Sequence, residues 1–362
     1  MIRKIYENLV KWKEKKEKNP LIVLGARQVG KTYSISEFCR NEYENVVELN
    51  LLEQASVVNL FKENIDTEEK YKALKTLIGS DIDIESENTI VFFDEVQESE
   101  ELISSLKFFS EKHQNINIIC AGSLLGVRLK RSSISFPVGK VEMINMYPMD
   151  FEEFLLAFDE DLLIEKIKES YSTDKELINV LHDTALRLYK YYLCVGGMPA
   201  SVLSLVKANR DMTKYDSKIL EDIIDAYFND MSRYVINKPE SLKIEKLYRS
   251  VPNQLANSTN RFQYTRIERK ARKQYYETAL DWLLASRLLI KADKVKIPEI
   301  PMKGFVEANY FKLYMSDVGL LRNMLGLRFN DILLDNLSLY KGVMVESYVA
   351  NEFVSSNMDL FY

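Results

Sequence analysis

Residues 21–32 read LIVLGARQVGKT. The first four are apolar, and Ile22 and Val23 are β-branched, as suits a strand buried on both faces. The next eight, Gly25-Ala26-Arg27-Gln28-Val29-Gly30-Lys31-Thr32, fit G-x-x-x-x-G-K-[ST] at every fixed position, and a helical run follows from Thr32, with Tyr33 in its first turn, to about Arg40. Strand, glycine loop and helix is the context this pattern needs. Gly25 and Gly30 allow backbone angles and a close approach that side chains would block. The loop's N–H groups converge at a helix N-terminus, where the dipole favours negative charge. The pattern therefore implies a site for nucleotide phosphates along residues 25–33. Lys31 would reach the β- and γ-phosphates and Thr32 would ligate Mg²⁺.

Working outward, residues 45–51 (NVVELNL) read as a second strand. Residues 52–80 read as helical, with Leu60, Phe61, Tyr71, Leu74 and Leu77 as core positions. Residues 89–97 (TIVFFDEVQ) are an apolar β run that ends in two carboxylates, Asp94 and Glu95. An amphipathic helix spans 100–113. Residues 115–123 and 141–147 supply two more strands, the first ending in Ala-Gly-Ser123. Strands alternating with helices predict an α/β fold with a parallel sheet covered on both faces. Ligands of such sheets sit at the carboxyl ends of the strands. The glycine loop, Asp94-Glu95 and Ser123 all fall there.

Composition bounds the rest. The chain has 362 residues, 46% hydrophobic and 28% charged, with a net charge of −5. That is globular, with no global charge favouring nucleic acid. No apolar run nears the ~18 residues of a membrane span. The first nineteen residues lack a signal peptide's apolar core and read as a short helix with an Ile5, Leu9, Trp12 stripe. The three cysteines, Cys39, Cys120 and Cys194, have no metal-site spacing and point to reduced thiols and the cytoplasm. Two histidines, His113 and His182, leave little for histidine-based zinc or triad chemistry.

From Pro148 the periodicity turns helical. Asp150 is placed to cap a helix whose first turn holds Glu152 and Glu153. Gly196-Gly197-Met198-Pro199 interrupts the region. Residues 242–255, 264–271 and 275–285 read as helices and 288–295 as a short hairpin, compatible with a winged helix; residues 298–301 read as a turn. The stretch RFQYTRIERKARK, Arg261 to Lys273, carries six cations and one acid among Phe262 and Tyr264. It falls where a winged helix meets DNA, although such runs also serve as solvated or docking faces.

The chemistry at the strand ends divides by role. Asp94 would orient Mg²⁺, Glu95 would activate water as a general base, and Ser123 would hydrogen-bond the γ-phosphate or that water. A nucleotide-gated DNA- or protein-binding switch with little turnover is the rival class. Glu95 argues against it, because a pure switch needs no base. A nucleoside kinase fits less well, for want of an arginine-rich lid.

GARQVGKT, FFDEVQ, the AGS strand end, FPVGKVEMINMYPMDFEEFL and YLCVGGMP together resemble the AAA-type "predicted ATPase" family of bacteria and archaea. The resemblance implies a P-loop AAA+ parallel-sheet domain over residues 1–150, a helical lid over 151–235 and a winged-helix-like module over 236–325. It implies that residues 326–362 begin a truncated restriction-endonuclease-like domain. It implies ATP and Mg²⁺ as cofactors, ATP hydrolysis as the activity, Asp94 and Glu95 as the acidic strand-end pair and Ser123 as the first sensor. An arginine finger from a neighbouring copy in a homo-oligomer would fall to Arg128, Arg131 or Lys140, among which the sequence does not choose. In the last segment Leu339, Val343, Glu346, Ala350 and Phe353 share one helical stripe. A glutamate there is costly unless paired, hydrated or used. With the strands of that domain missing, residues from about 338 onward are expected to be disordered or packed on a neighbouring surface, without nuclease activity.

Overall fold

Leu21, Ile22 and Val23 are fully excluded from solvent, and strand β1 (Leu21–Leu24) occupies the interior of a five-stranded sheet. The computed structural model describes residues 1–79, 81–127, 136–235, 238–257, 261–336 and 340–362. By its internal contacts the chain forms two units, Arg3–Met146 and Tyr147–Tyr362, the second including Met1–Ile2.

In the first unit helix α1 (Ile5–Lys13) precedes β1 and buries Ile5, Leu9 and Trp12. Helix α2 (Lys31–Glu42) and strand β2 (Asn45–Asn50) follow. Then come helices α3 (Ala55–Lys62) and α4 (Thr67–Ile78), strand β3 (Thr89–Asp94), helix α5 (Glu100–Lys112), and strands β4 (Asn117–Gly122) and β5 (Glu142–Asn145). The sheet runs β2-β3-β4-β1-β5 and every pairing is parallel. Each parallel neighbour needs a crossover, and the helices supply it. Alternate residues Ile22, Val47, Leu49, Val91, Phe93, Ile118 and Cys120 face one core with Phe61, Leu74, Leu106 and Phe109 from the helices. Ile90, Phe92, Ile119 and Ala121 on the opposite face are equally buried, which is why these strands lack hydrophobic–polar alternation.

The helical region expected over 52–80 is two helices. Asp66 starts the second, its side chain accepting the Glu69 N–H at 3.0 Å. Leu77 is not a core position, being 52% exposed. The buried stripe runs through Tyr71 and Leu74 to Ile78, which takes the place in the core predicted for Leu77.

The second unit opens with Asp150, which caps helix Phe151–Leu156. Its carboxylate accepts the Glu153 N–H at 2.8 Å, and Glu153 accepts the Asp150 N–H at 3.2 Å. Helices Asn179–Val195 and Pro199–Lys207 meet at Gly196-Gly197-Met198. The turn is closed by Asp317, whose buried carboxylate accepts the Gly197 N–H at 2.6 Å and the Leu320 N–H at 2.9 Å. A Cβ on Gly196 would lie 2.2 Å from Asp317 Oδ1, and one on Gly197 would lie 1.9 Å from the Met149 carbonyl oxygen. Neither position has room for a side chain. Burial raises the Asp317 carboxyl to about 6 despite those N–H donors.

Helices Lys238–Leu255 and Lys273–Ala285 are followed by strands β6 (Leu289–Val295) and β7 (Val306–Met315), an antiparallel pair. The helix expected over 264–271 is only a short turn, Tyr264–Arg266. Its sequence offers no apolar stripe: Phe262 is buried and stacks on Phe311, whereas Arg269 and Lys270 are exposed. The hairpin expected within 288–295 is instead one strand paired with a partner beyond Pro298 and Pro301. Of the two expectations for the last segment, disorder or packing on a neighbouring surface, helix Lys341–Ser355 follows the second: it packs on β6 and β7 of its own unit. Its Glu346 accepts hydrogen bonds from the Lys312 ammonium and, at 2.7 Å, the Tyr314 hydroxyl, so the carboxylate in that stripe is paired. Leu339 of the stripe lies outside the described residues, and Phe353 is 44% exposed.

Phe93 of β3 is fully buried and makes an edge-on contact with Phe61. Phe93→Ala is expected to cost about 3–5 kcal/mol. Leu77→Ala is expected to stay within about 0.5 kcal/mol. Urea unfolding of the two variants beside the parent measures both, and equal losses would contradict the stripe assignment.

Candidate functional site

Strand register builds the site. Leu24 at the end of β1 pairs with Gly122 of β4 on one side and Asn145 of β5 on the other, and Phe93 of β3 pairs with Cys120. The residues that leave these strands, Gly25, Ser123 and Asp94-Glu95, therefore emerge at neighbouring carboxyl ends. The loop residues, Asp94, Glu95 and Ser123 thus lie along one edge of the sheet.

The loop is held from two sides. A Cβ on Gly25 would stand 2.4 Å from the Met146 carbonyl oxygen, so glycine is required for that approach. Gly30 has φ 92° and ψ 24°, the left-handed turn that leads into α2. Gln28, exposed at the tip, also has a positive φ of 66°. Ala26 and Val29 are buried, and the Val29 carbonyl accepts a hydrogen bond from Arg3 Nη1 at 2.7 Å. Arg27 is half-buried and Tyr33 is 60% exposed.

Lys31 is buried, and its ammonium donates to the carbonyls of Gly25 at 3.0 Å and Ala26 at 2.7 Å. The loop thus wraps the cation that the pattern supplies. Burial pulls its pKa down to about 8, against the pull of Glu95 and Asp94 toward the charged form. Thr32 Oγ1 donates to Asp94 Oδ2 at 2.9 Å, and Asp94 Oδ1 accepts the Glu95 N–H at 3.0 Å. Burial raises the Asp94 carboxyl, partly offset by the Thr32 hydrogen bond. Glu95 has φ 53°, which turns the chain sharply out of β3. Its Oε2 accepts from the buried Gln97 amide nitrogen. Ser123 is half-buried in the bend after Gly122.

Other sequence candidates stand apart. Lys140 pairs with Glu111 at 3.2 Å, each about two-fifths exposed. Arg128 and Arg131 lie outside the described residues. In the basic segment of the second unit, Arg261 stacks over the Tyr310 ring at 3.7 Å and Lys273 donates to Asn309 at 3.0 Å. Arg266, Arg269, Lys270 and Arg272 are exposed. Sequence reasoning missed Arg3 and Gln97. Gln97 had a visible signal in its two-residue spacing from Glu95. Arg3 had none, because only the fold brings it to the loop.

Residues 17–155 match the family described as an AAA domain, and residues 186–331 match a domain of unknown function, DUF8612. The sequence matches none of the curated proteins. Among solved structures, the chain is similar to the Walker-type ATPase Paby2304 of Pyrococcus abyssi, with a TM-score of 0.53 and 16% identity over 88% of this chain and 94% of that one. It is also similar, at a TM-score of 0.43 and 12% identity over 92% of each chain, to the ORC2 protein of Aeropyrum pernix in ADPNP and ADP complexes. The first likeness agrees with the parallel α/β fold. No helix among the described residues is long and apolar enough to cross a membrane.

The depressed Lys31 pKa has a consequence for stability. An unfolded lysine titrates near ~10.4. Between about 8 and that value the unfolded chain holds a proton that the fold has lost, so this residue makes stability rise with pH across the window. Lys31→Met removes that contribution. The stability gained by the variant over the parent should be greatest below pH 8 and shrink toward pH 10, as read by urea unfolding across the range. A difference independent of pH would contradict the depressed pKa.

Proposed function

We propose, on the premise that residues 17–155 are an AAA domain, that the chain binds Mg·ATP at the carboxyl edge of its sheet and hydrolyses it to ADP and phosphate. The observation that carries this reading is the Thr32–Asp94 hydrogen bond of 2.9 Å beside the loop-wrapped Lys31 ammonium. It sets a hydroxyl and a carboxylate oxygen side by side, the hard donors Mg²⁺ takes. Thr32 and Asp94 would hold the ion, which when bound supplies neutralisation of the phosphate charge.

The chain's own residues do the rest. The N–H groups of residues 25–33 cradle the phosphates at the start of α2. Lys31 exchanges the carbonyls of Gly25 and Ala26 for phosphate oxygens and stabilises charge as the γ-phosphoryl leaves. Glu95 takes the proton of the attacking water while the water oxygen bonds to the γ-phosphorus. The bond from that phosphorus to the bridging oxygen breaks, and ADP departs. Ser123, at the end of the strand between β1 and β3, hydrogen-bonds the γ-phosphate or the water. Lys140 remains a finger candidate toward a second copy, since its partner Glu111 is itself exposed.

A second element of the reading is DNA binding by residues 261–273. It is favoured by the exposure of Arg266, Arg269, Lys270 and Arg272 beside two helices and an antiparallel strand pair. A nucleotide-dependent change in that module's DNA affinity would be the output of hydrolysis.

Lys31→Ala is expected to abolish tight ATP binding in calorimetry. Glu95→Gln should retain affinity and lose turnover by about 10²-fold or more, because a positioned base contributes ~10²–10⁴. Parental phosphate release from Glu95→Gln would place the base elsewhere.

For DNA, reversing the charges of Arg269, Lys270 and Arg272 should weaken binding and flatten its salt dependence, since fewer counterions are released. If the parent shows no salt-sensitive binding to duplex DNA in anisotropy titrations, the segment is a docking or solvated face.

A further inference from the structure

Gln97 is polar, and its side chain is 1% exposed. It sits on the single turn Val96–Glu98 that follows β3 and α-left-handed Glu95. A buried amide needs partners for both its ends. Its nitrogen has one, Glu95 Oε2. A carboxylate only accepts, so the facing atom must be the NH₂ and the amide's orientation is fixed by chemistry. Its oxygen has no partner among the described residues. That oxygen lies against Gly122: a Cβ there would come within 2.6 Å of Gln97 Oε1 and 3.3 Å of Val96. Gly122 is the last residue of β4, and Ser123 follows it directly.

We propose that Gln97 is a positioning residue that anchors the Glu95 carboxylate by one oxygen and turns its own unpartnered amide oxygen toward the end of β4. The inference rests on the reading of Glu95 as the base. With Oε2 held by Gln97, Oε1 is the oxygen left to take the proton from water. Holding one carboxylate oxygen selects a single rotamer from the several open to a glutamate side chain, and such orientation is what a general base needs. The amide oxygen of Gln97 can accept one hydrogen bond from a group arriving at the β4 end, such as a water or the Ser123 hydroxyl. One side chain then links the strand end carrying Ser123 to the base. Gly122 has its own place here, because any larger residue would push the amide from its seat.

The test measures phosphate release, KM and nucleotide affinity for the parent, Glu95→Gln, Gln97→Met, Gly122→Ala and the Glu95→Gln/Gln97→Met double variant. Methionine matches glutamine in length and shape but donates nothing, and melting temperature reports whether each variant folds. Gln97→Met is expected to lose about 10–100-fold in kcat with nucleotide affinity unchanged, and Gly122→Ala to lose in the same direction. In the Glu95→Gln background, Gln97→Met should change nothing further. A Gln97→Met protein with parental kcat overturns the proposal while leaving the ATPase reading intact. So does one whose affinity falls as far as its kcat, or one whose effect persists in the double variant. A parent that releases no phosphate removes the ATPase reading itself, and this inference with it.

Discussion

A lysine ammonium enclosed by backbone carbonyls is the constraint on which the first unit depends. Burying a charge is tolerated only where hydrogen bonds replace its water. Lys31 obtains them from Gly25 and Ala26, residues that precede it by six and five positions. The chain must therefore fold back on itself between β1 and α2, which fixes where glycine is needed. Gly30 makes the left-handed turn, and Gly25 lets the loop touch the Met146 carbonyl. The sheet serves this loop by setting β4 between β1 and β3, so that the Asp94 carboxylate ending β3 meets the Thr32 hydroxyl at the start of the helix fed by β1.

Much of that fold is legible in the sequence, for a physical reason. Parallel strands buried on both faces are runs of apolar residues, and runs such as TIVFFD are hard to read otherwise. The polar residues ending them are also readable, because a carboxylate directly after such a run must leave the core. What periodicity could not show was the choice between equivalent hydrophobics. Leu77 and Ile78 are adjacent and both apolar, and only the packing of α4 decides that Ile78 enters. The basic stretch 264–271 has good helix formers but no apolar stripe, and propensity without a face to bury yields only a turn. The partner strand of β6 was hidden because it lies past two prolines rather than across a tight hairpin.

The candidate site divides in the same way. Residues 25–33 announce themselves by the fixed positions of one short pattern, and Asp94 and Glu95 by their place at the end of an apolar run. Arg3 and Gln97 hydrogen-bond to that constellation from outside it. Arg3 is distant in sequence, and its hydrogen bond to Val29 exists only after α1 docks. Gln97 is near, but a glutamine by itself carries no message until its burial is known. Groups that support a site are thus harder to see than groups that form it, because geometry alone selects them.

The Asp317 carboxylate orders events during synthesis. Domains generally fold as units as they emerge from the ribosome, the N-terminal one first. Everything the sheet needs lies between Arg3 and Met146, so that unit can close while the remainder is still being translated. The turn at Gly196 and Gly197 is completed later. Its N–H at Gly197 waits for a carboxylate 120 residues downstream, and the glycines there have no side chains with which to hold the turn alone. Helices Asn179–Val195 and Pro199–Lys207 therefore lack this closing contact until Asp317 has been synthesised. A fragment ending before Asp317 would lack that contact permanently, and the Gly197 N–H would be left without its carboxylate.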